Sequence, residues 1–332
     1  MDVAKELSSY ILPVEEEIFK YVGKELEPKE LYKPLYDLFK RGGKRIRPAI
    51  CMVACEAVGG KLEDALKIAG AIEMVHNFTL IHDDIADKSE LRRGKPCLHH
   101  IYGYALAINA GDGLFSRAYE VVSDSLKELK SERFGCVFAV LSKAITEVCE
   151  GQAMDISWAK QNRWDITRED YLGMLRRKTG ALISAACECG AIIGGGSDEQ
   201  VKALKDFGMH IGVAFQIHDD VLNISGDVEK YGKEIGGDIN EGKRTLMVIE
   251  TLQECSADEK KRLIEILDEE GNSQKEIREA LDIIHKYGSI ERASKLALQR
   301  AEEAKNGLDV LRETRYKEIL LGLADYFVNR EK

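Results

Sequence analysis

The five prolines, Pro13, Pro28, Pro34, Pro48 and Pro96, all fall at or before residue 96, and the remaining 236 of 332 residues contain none. Proline lacks a backbone donor and clashes with the preceding turn, so its absence permits long helices. Apolar side chains recur near the 3.6-residue helical period across residues 62–87, at Leu62, Leu66, Ala69, Ile72, Val75 and Leu80. Residues 131–157, 167–193 and 198–225 show the same period, and 274–328 divide into three amphipathic helices with Gly307 near one end. Gly194–Gly196 supply a stop, with Ser197 or Asp198 as the next N-cap. No strand-like alternation survives comparison with the helical period. Without a Pro/Ser-rich linker or a break in composition, the expectation is one all-α domain over residues 1–332. It would be a bundle of ten or more helices around a central catalytic cavity.

Composition excludes several classes. No apolar run reaches about 18 residues, so no helix is expected to span a membrane. The N-terminal MDVAKELSSYILPVEEE lacks the basic region and apolar core of a signal peptide. Eight cysteines show no CxxC pair and no zinc-like spacing, so Cys51, Cys55, Cys187 and Cys189 are expected as small core residues. A reducing, cytoplasmic compartment is the corresponding expectation. A net charge of −10 argues against broad nucleic-acid binding, which needs a basic surface.

Two acidic clusters carry the chemistry: TLIHDDIAD, with Asp83, Asp84 and Asp87, and AFQIHDDVLN, with Asp219, Asp220 and Asn223. Residues four apart on a helix share a face, and carboxylates stacked there repel. A hard divalent cation such as Mg2+ relieves this, completing its shell with water and substrate phosphate. Two such faces suggest one metal cluster holding a diphosphate between two helices. Each cluster is followed by a segment that breaks the helical pattern and carries basic residues, 88–100 and 226–244. Such segments suit a lid that closes over phosphate.

Cations complete the pattern. RGGKRIRP, residues 41–48, sets Lys44, Arg45 and Arg47 between a Gly-Gly turn and a helix expected to start at Pro48. Helix N-termini and clustered Arg/Lys favour phosphate, although the segment lacks Walker spacing. Asp83, Asp84, Asp87, Asp219 and Asp220 sum to −5, with Asp83, Asp87 and Asp219 the better-placed metal ligands. About three Mg2+ would add roughly +6. One diphosphate then fits with further cations, for which Arg92, Lys178, Lys233 and Lys243 are candidates. A second, metal-free diphosphate site would draw on Lys44, Arg47, Arg93 and His76, the last two turns before Asp83.

Taken in order, GGKRIRP, LIHDDIAD, LRRG, GQAMDI, KTG, FQIHDD and GKEIGGDINEGKRTL resemble the motifs of the trans-isoprenyl diphosphate synthases, the polyprenyl synthetase family. The resemblance runs from residue 42 to 246. It implies an all-α homodimer that joins isopentenyl diphosphate head-to-tail to an allylic diphosphate with Mg2+. It implies that Asp83 and Asp87 hold two metals and Asp219 a third, with Asp238 supporting it through water. Arg92, Lys178, Lys233 and Lys243 would bind the allylic diphosphate; Lys44, Arg47, His76 and Arg93 would bind isopentenyl diphosphate. Thr179, Gln216 and the Lys178 carbonyl would face the developing cation. One residue departs from the pattern: Asn223 stands where the family usually has Asp, so weaker binding of the third metal is expected, without loss of function.

Product length would depend on the cavity below Asp83. Phe78 and Thr79, five and four residues before it, are the candidate floor. A bulky fifth residue, a small fourth and no insertion in DDIAD resemble archaeal-type geranylgeranyl synthases, implying a C20 product, with C15 or a longer chain as the alternative. A terpene cyclase would lack RGGKRIRP and would carry a different second motif. A non-catalytic subunit of a heteromeric synthase would have lost acidic or basic motif residues. Ser157-x-x-Lys160 and Lys178-Thr179-Gly180 have a superficial β-lactamase pattern, but they lie too close together and the intervening SDN is missing.

Overall fold

The computed structural model describes residues 2–225, 236–269 and 271–329. The elements in order are α1 (Val3–Ser8), α2 (Ile11–Val22), α3 (Lys29–Phe39), α4 (Ile46–Ala57), α5 (Leu62–Ala86), a hairpin of β1 (Leu91–Arg92) and β2 (Lys95–Pro96), α6 (Leu98–Tyr102) and α7 (Tyr104–Asp124). There follow α8 (Ser131–Lys160), α9 (Arg168–Leu175), α10 (Ala181–Gly194), α11 (Asp198–Ser225), α12 (Gly237–Asn240), α13 (Leu246–Glu254), α14 (Ala257–Asp268), α15 (Gln274–Lys286), α16 (Ser289–Asn306) and α17 (Arg315–Asn329). The all-α expectation holds. No helix among the described residues is long and apolar enough to cross a membrane.

The backbone divides into two compact units, Met1–Ile145, Leu182–Lys205 and Leu308–Gly322 in one, and Thr146–Ala181, Asp206–Gly307 and Leu323–Lys332 in the other. In the first, α5 is covered on all sides: every residue from Ile68 to Val75 is buried. That exceeds the single apolar stripe its period suggests, and marks a central helix. Neighbours approach it closely at glycine. A Cβ on Gly111 of α7 would lie 2.2 Å from His82 Nε2 on α5. Arg45, 2% exposed, crosses this core fully paired. It donates to Glu15 Oε1 at 3.0 Å, Glu73 Oε1 at 2.9 Å and the Phe39 carbonyl at 3.0 Å, as a buried charge must.

Three local expectations are corrected. Residues 167–193 are two helices, α9 and α10, joined by a π turn at Arg176–Gly180. The wide turn carries the backbone of Lys178 against α8, where a Cβ on Gly151 would sit 2.3 Å from the Lys178 nitrogen. The segment after the first acidic cluster contains a hairpin, with Leu91 opposite Pro96 and Arg92 opposite Lys95. Its two-residue loop, Arg93 (φ 56°) and Gly94 (φ 71°), has the positive φ at both positions of a type I′ turn. Helix α4 begins at Ile46 rather than Pro48, with Arg45 as N-cap at φ 46°. By contrast, α11 begins where Ser197 predicts. The Gln200 N–H donates to Ser197 Oγ at 3.3 Å, and the Ser197 N–H donates to Gln200 Oε1 at 3.0 Å.

Candidate active site

In the first unit, the end of α5 carries the first acidic cluster. Asp83 lies in its last turn and Asp87 is the C-cap, with the Asp87 N–H donating to the Asp83 carbonyl at 2.8 Å. The C-terminus of a helix carries partial negative charge, so carboxylates there need a cation. Asp84 turns the other way. It is 6% exposed and accepts from Arg92 Nε at 2.8 Å. The ion pair corrects the charge sum made from sequence, because Asp84 is neutralised by the protein. It also commits Arg92, expected on the allylic diphosphate, to a carboxylate.

The hairpin separates neighbours. Arg92 reaches Asp84, while Arg93 Nη1 donates to the carbonyl of Gly42. Gly43, at φ 152°, lies beside it: a Cβ there would come within 2.9 Å of the Arg93 guanidinium, which would have to shift. Lys44 is exposed in the same turn. In the first turn of α4, Arg47 Nη1 lies 3.2 Å from His76 Nε2 on α5. Burial pushes His76 well below the ordinary histidine range, and the Arg47, Arg93, Arg92 and Arg45 charges push it further. Burial likewise lowers Arg47 to about 10. The carboxylate Glu73 is committed to Arg45 and to Asn77 Nδ2, at 2.9 and 2.8 Å. A neutral imidazole among crowded guanidinium groups is a ready site for an anion. The structure therefore gathers Arg47, His76 and Arg93.

Phe78 is buried on α5 and packs on Phe115 of α7, ring centroids 5.0 Å apart, and edge-on to His82 at 5.9 Å. Thr79 Oγ1 donates back to the His76 carbonyl at 2.8 Å, so its hydroxyl proton is spent on its own helix.

In the second unit, a cavity of about 100 Å³ is lined by Asp155, Tyr171, Lys178, Gln216, Asp219, Asp220, Asn223, Asp238 and Lys243, among others. This one cavity brings together most of the second set of expected residues. Lys178 pairs with Asp155 of α8. Lys243 pairs with Asp238 at 3.1 Å and Glu241 at 2.5 Å. Thr179 Oγ1, in the π turn, donates to Gln216 Oε1 at 2.9 Å. Asp220, like Asp84, turns into the protein. It accepts from Tyr171 Oη at 2.6 Å and from Gln216 Nε2 at 2.9 Å. Burial, and then the charge of Asp238, raise Asp220 to about 7. Burial also raises Asp238, against the opposing charge of Lys243. Asn223 does not simply offer its oxygen to the cavity: Oδ1 accepts the Asp238 N–H at 3.1 Å, and its carbonyl accepts the Gly236 N–H at 2.8 Å. Lys233 lies outside the described residues.

The family model described as polyprenyl synthetase matches residues 28–284. The chain belongs to the polyprenyl synthetase family. It is thus a prenyltransferase of isoprenoid biosynthesis. A short chain isoprenyl diphosphate synthase of Methanothermobacter thermautotrophicus is 42% identical over 331 residues, covering 100% of this chain and 99% of the relative. The crystal structure of a geranylgeranyl pyrophosphate synthetase from Pyrococcus horikoshii superposes with a TM-score of 0.93 at 38% identity, covering 99% of this chain and 98% of that one. A polyprenyl synthase of Caulobacter crescentus, solved with calcium and isoprenyl diphosphate, gives 0.89 at 29% identity over 99% and 97%.

Divalent metal suits the donors of this family member. Among the described residues no three His, Cys, Asp or Glu side chains form a closed metal cage. Mg2+ held by one or two carboxylates plus water and substrate phosphate needs none. Sequence reasoning overlooked the anchors: Tyr171, Asp155, and the inward roles of Asp84 and Asp220. Asp155 had a signal, since it lies four residues after Gly151 on α8, and both meet Lys178. Tyr171 had none.

Proposed function

We propose that the chain condenses isopentenyl diphosphate head-to-tail with allylic diphosphates to give geranylgeranyl diphosphate, C20, as a single synthase domain acting in a homodimer. The carrying observation lies on α5. His76 with Arg47 and Arg93 asks for an anion, while Asp83 and Asp87 ask for a cation. Seven residues separate His76 from Asp83, about 10 Å along the helix. Two diphosphates, one bound through metal and one through cations alone, suit that pairing.

Asp83, Asp87 and Asp219 would hold about three Mg2+, which supply charge neutralisation to the departing diphosphate. Lys178, Lys243 and Lys233 assist at the allylic diphosphate, where phosphate would replace the present carboxylate partners of Lys178 and Lys243; Arg92, held to Asp84 through Nε and Nη2, would reach it only through Nη1. Lys44, Arg47, His76 and Arg93 hold isopentenyl diphosphate so that its double bond meets the allylic carbon in preference to water. Thr179, Gln216 and the Lys178 carbonyl turn oxygen toward the developing cation. Departing pyrophosphate accepts the final proton, so no side-chain nucleophile is needed. Phe78, backed by Phe115, supports the C20 limit as the floor, with Thr79 beside it. Exposed Tyr104 and Ile108, four apart on α7 and 55% and 44% accessible, support burial against a second copy.

The test is incubation with labelled isopentenyl diphosphate and dimethylallyl or farnesyl diphosphate, with and without Mg2+, followed by chain-length analysis. Metal-dependent products ending at C20 are expected. An end at C15 or beyond C20 would discard the Phe78 floor. No elongation by folded protein would discard the function.

A further inference from the structure

We propose that Tyr171 and Asp220 are positioning residues that lock the Gln216 amide with its oxygen toward Thr179, so that the site presents oxygen atoms and no N–H to the allylic cation. The inference rests on the function proposed above and deepens it. Four side chains form one chain of hydrogen bonds. Tyr171 Oη donates to Asp220 Oδ2 at 2.6 Å, Gln216 Nε2 donates to Asp220 Oδ1 at 2.9 Å, and Thr179 Oγ1 donates to Gln216 Oε1 at 2.9 Å. Tyr171 is 1% exposed and Asp220 8%, so water competes little.

The direction of the chain follows from donor and acceptor chemistry. Asp220 Oδ1 accepts from the Gln216 NH2, and with that group spent the amide oxygen is turned to the Thr179 hydroxyl. The Thr179 hydroxyl has one proton, and the Gln216 oxygen takes it, leaving the Thr179 oxygen able only to accept. Tyr171 occupies the second carboxylate oxygen and fixes the carboxylate plane. Gln216 and Asp220 sit four apart on α11, so their contact costs no backbone distortion. Both oxygens of Asp220 are thus engaged within the protein. A Gln216 amide rotated by a half-turn would place its positive end beside the cation, and a misdirected dipole in a dry site raises the barrier.

The experiment uses the full chain with Mg2+ and compares Asp220→Asn, Asp220→Ala and Tyr171→Phe with wild type. Both Asp220 variants remove the charge, but only Asn keeps an oxygen for the Gln216 NH2. Steady-state kcat and allylic KM are measured, together with binding of two bisphosphonates, one bearing a protonated amine at the cation position and one its carbon isostere. The expected result for Asp220→Ala is a kcat lowered about 10- to 100-fold with little change in KM. That variant should also lose the preference for the amine probe. Asp220→Asn should fall less than tenfold, and Tyr171→Phe should show the same selective loss as Ala, but smaller. Equal losses in Asn and Ala, or equal weakening of both probes, would overturn the inference, because charge or general packing would then explain the effect. Should Asp220→Ala not fold, Tyr171→Phe carries the same test through its kcat and its probe preference. A wild type that condenses nothing would instead overturn the proposed function, and this inference with it.

Discussion

Helices α5 and α11 both contain Ile-His-Asp-Asp near their C-terminal ends, at residues 81–84 and 217–220, yet the two copies are wired differently. In each, the first aspartate is half-buried and the second is buried and turns into the protein. Asp84 meets the guanidinium of Arg92, whereas Asp220 meets two neutral donors, Tyr171 and Gln216. The flanks differ too. One turn before the motif, α5 carries Phe78, Thr79 and Leu80 where α11 carries Ala214, Phe215 and Gln216. The same tetrapeptide therefore follows a packed aromatic residue on one helix and a polar hydrogen-bonded chain on the other. The inner aspartate is paired with a cation in one place and with neutral hydrogen-bond donors in the other.

The largest effects should come from the outer aspartates. Asp83→Ala and Asp219→Ala should each lower kcat by about two to three orders of magnitude, as expected when charge stabilisation of a leaving group is lost. Steady-state rates at saturating Mg2+ check this; near-wild-type rates would break the assignment of outer residues to the reaction. Asp84→Asn should act on stability instead. It leaves Arg92 without its carboxylate and should cost roughly 3 kcal/mol, the low end for a buried pair, because the Arg92 side chain keeps 28% exposure. Urea unfolding measures it. Phe78→Ala has no counterpart on α11 and should lengthen the product beyond C20, read by chain-length analysis, at a stability cost of about 3 kcal/mol or more. An unchanged product spectrum would remove Phe78 as the floor.

Asp220 gives a subtler contrast. Its folded value of about 7 lies above the ordinary carboxylate value of 3.8, so the folded state binds the extra proton. Stability from this group is fully present below about pH 4 and is lost as pH rises through about 7. In metal-free protein, Asp220→Asn should therefore gain thermal stability relative to wild type as pH rises across that window. A pH-independent difference in melting temperature would contradict the buried, hydrogen-bonded state of Asp220. The smallest effect is expected at Asn223. An aspartate there keeps an acceptor for the Asp238 N–H but adds charge, so Asn223→Asp should lower the half-saturating Mg2+ only a few-fold. An unchanged titration would mean that Asn223 serves Asp238 alone.

Helix existence was legible because apolar periodicity and the absence of proline are local signals; α8 and α11 start at Ser131 and Asp198, as their patterns predict. The placing of Asp83 and Asp87 at the end of one helix was legible from their four-residue spacing. The inward aspartates were not. Residues 83 and 84 lie about 100° apart round a helix, and which direction is interior depends on Arg92 for one and on distant Tyr171 for the other. The π turn at Arg176–Gly180 has no composition signal that separates it from a continuous helix. The hairpin escaped because its loop, Arg93-Gly94, puts an arginine where Asn or Asp usually marks a type I′ turn.

The most direct test of the division between outer and inner aspartates is a Mg2+ titration of condensation activity for single Asn variants at Asp83, Asp219, Asp84 and Asp220. The outer two variants should raise the half-saturating Mg2+ by about tenfold or more, while the inner two keep the wild-type midpoint and lose only rate or stability. A midpoint shifted as far by Asp84→Asn or Asp220→Asn as by Asp83→Asn would contradict the account.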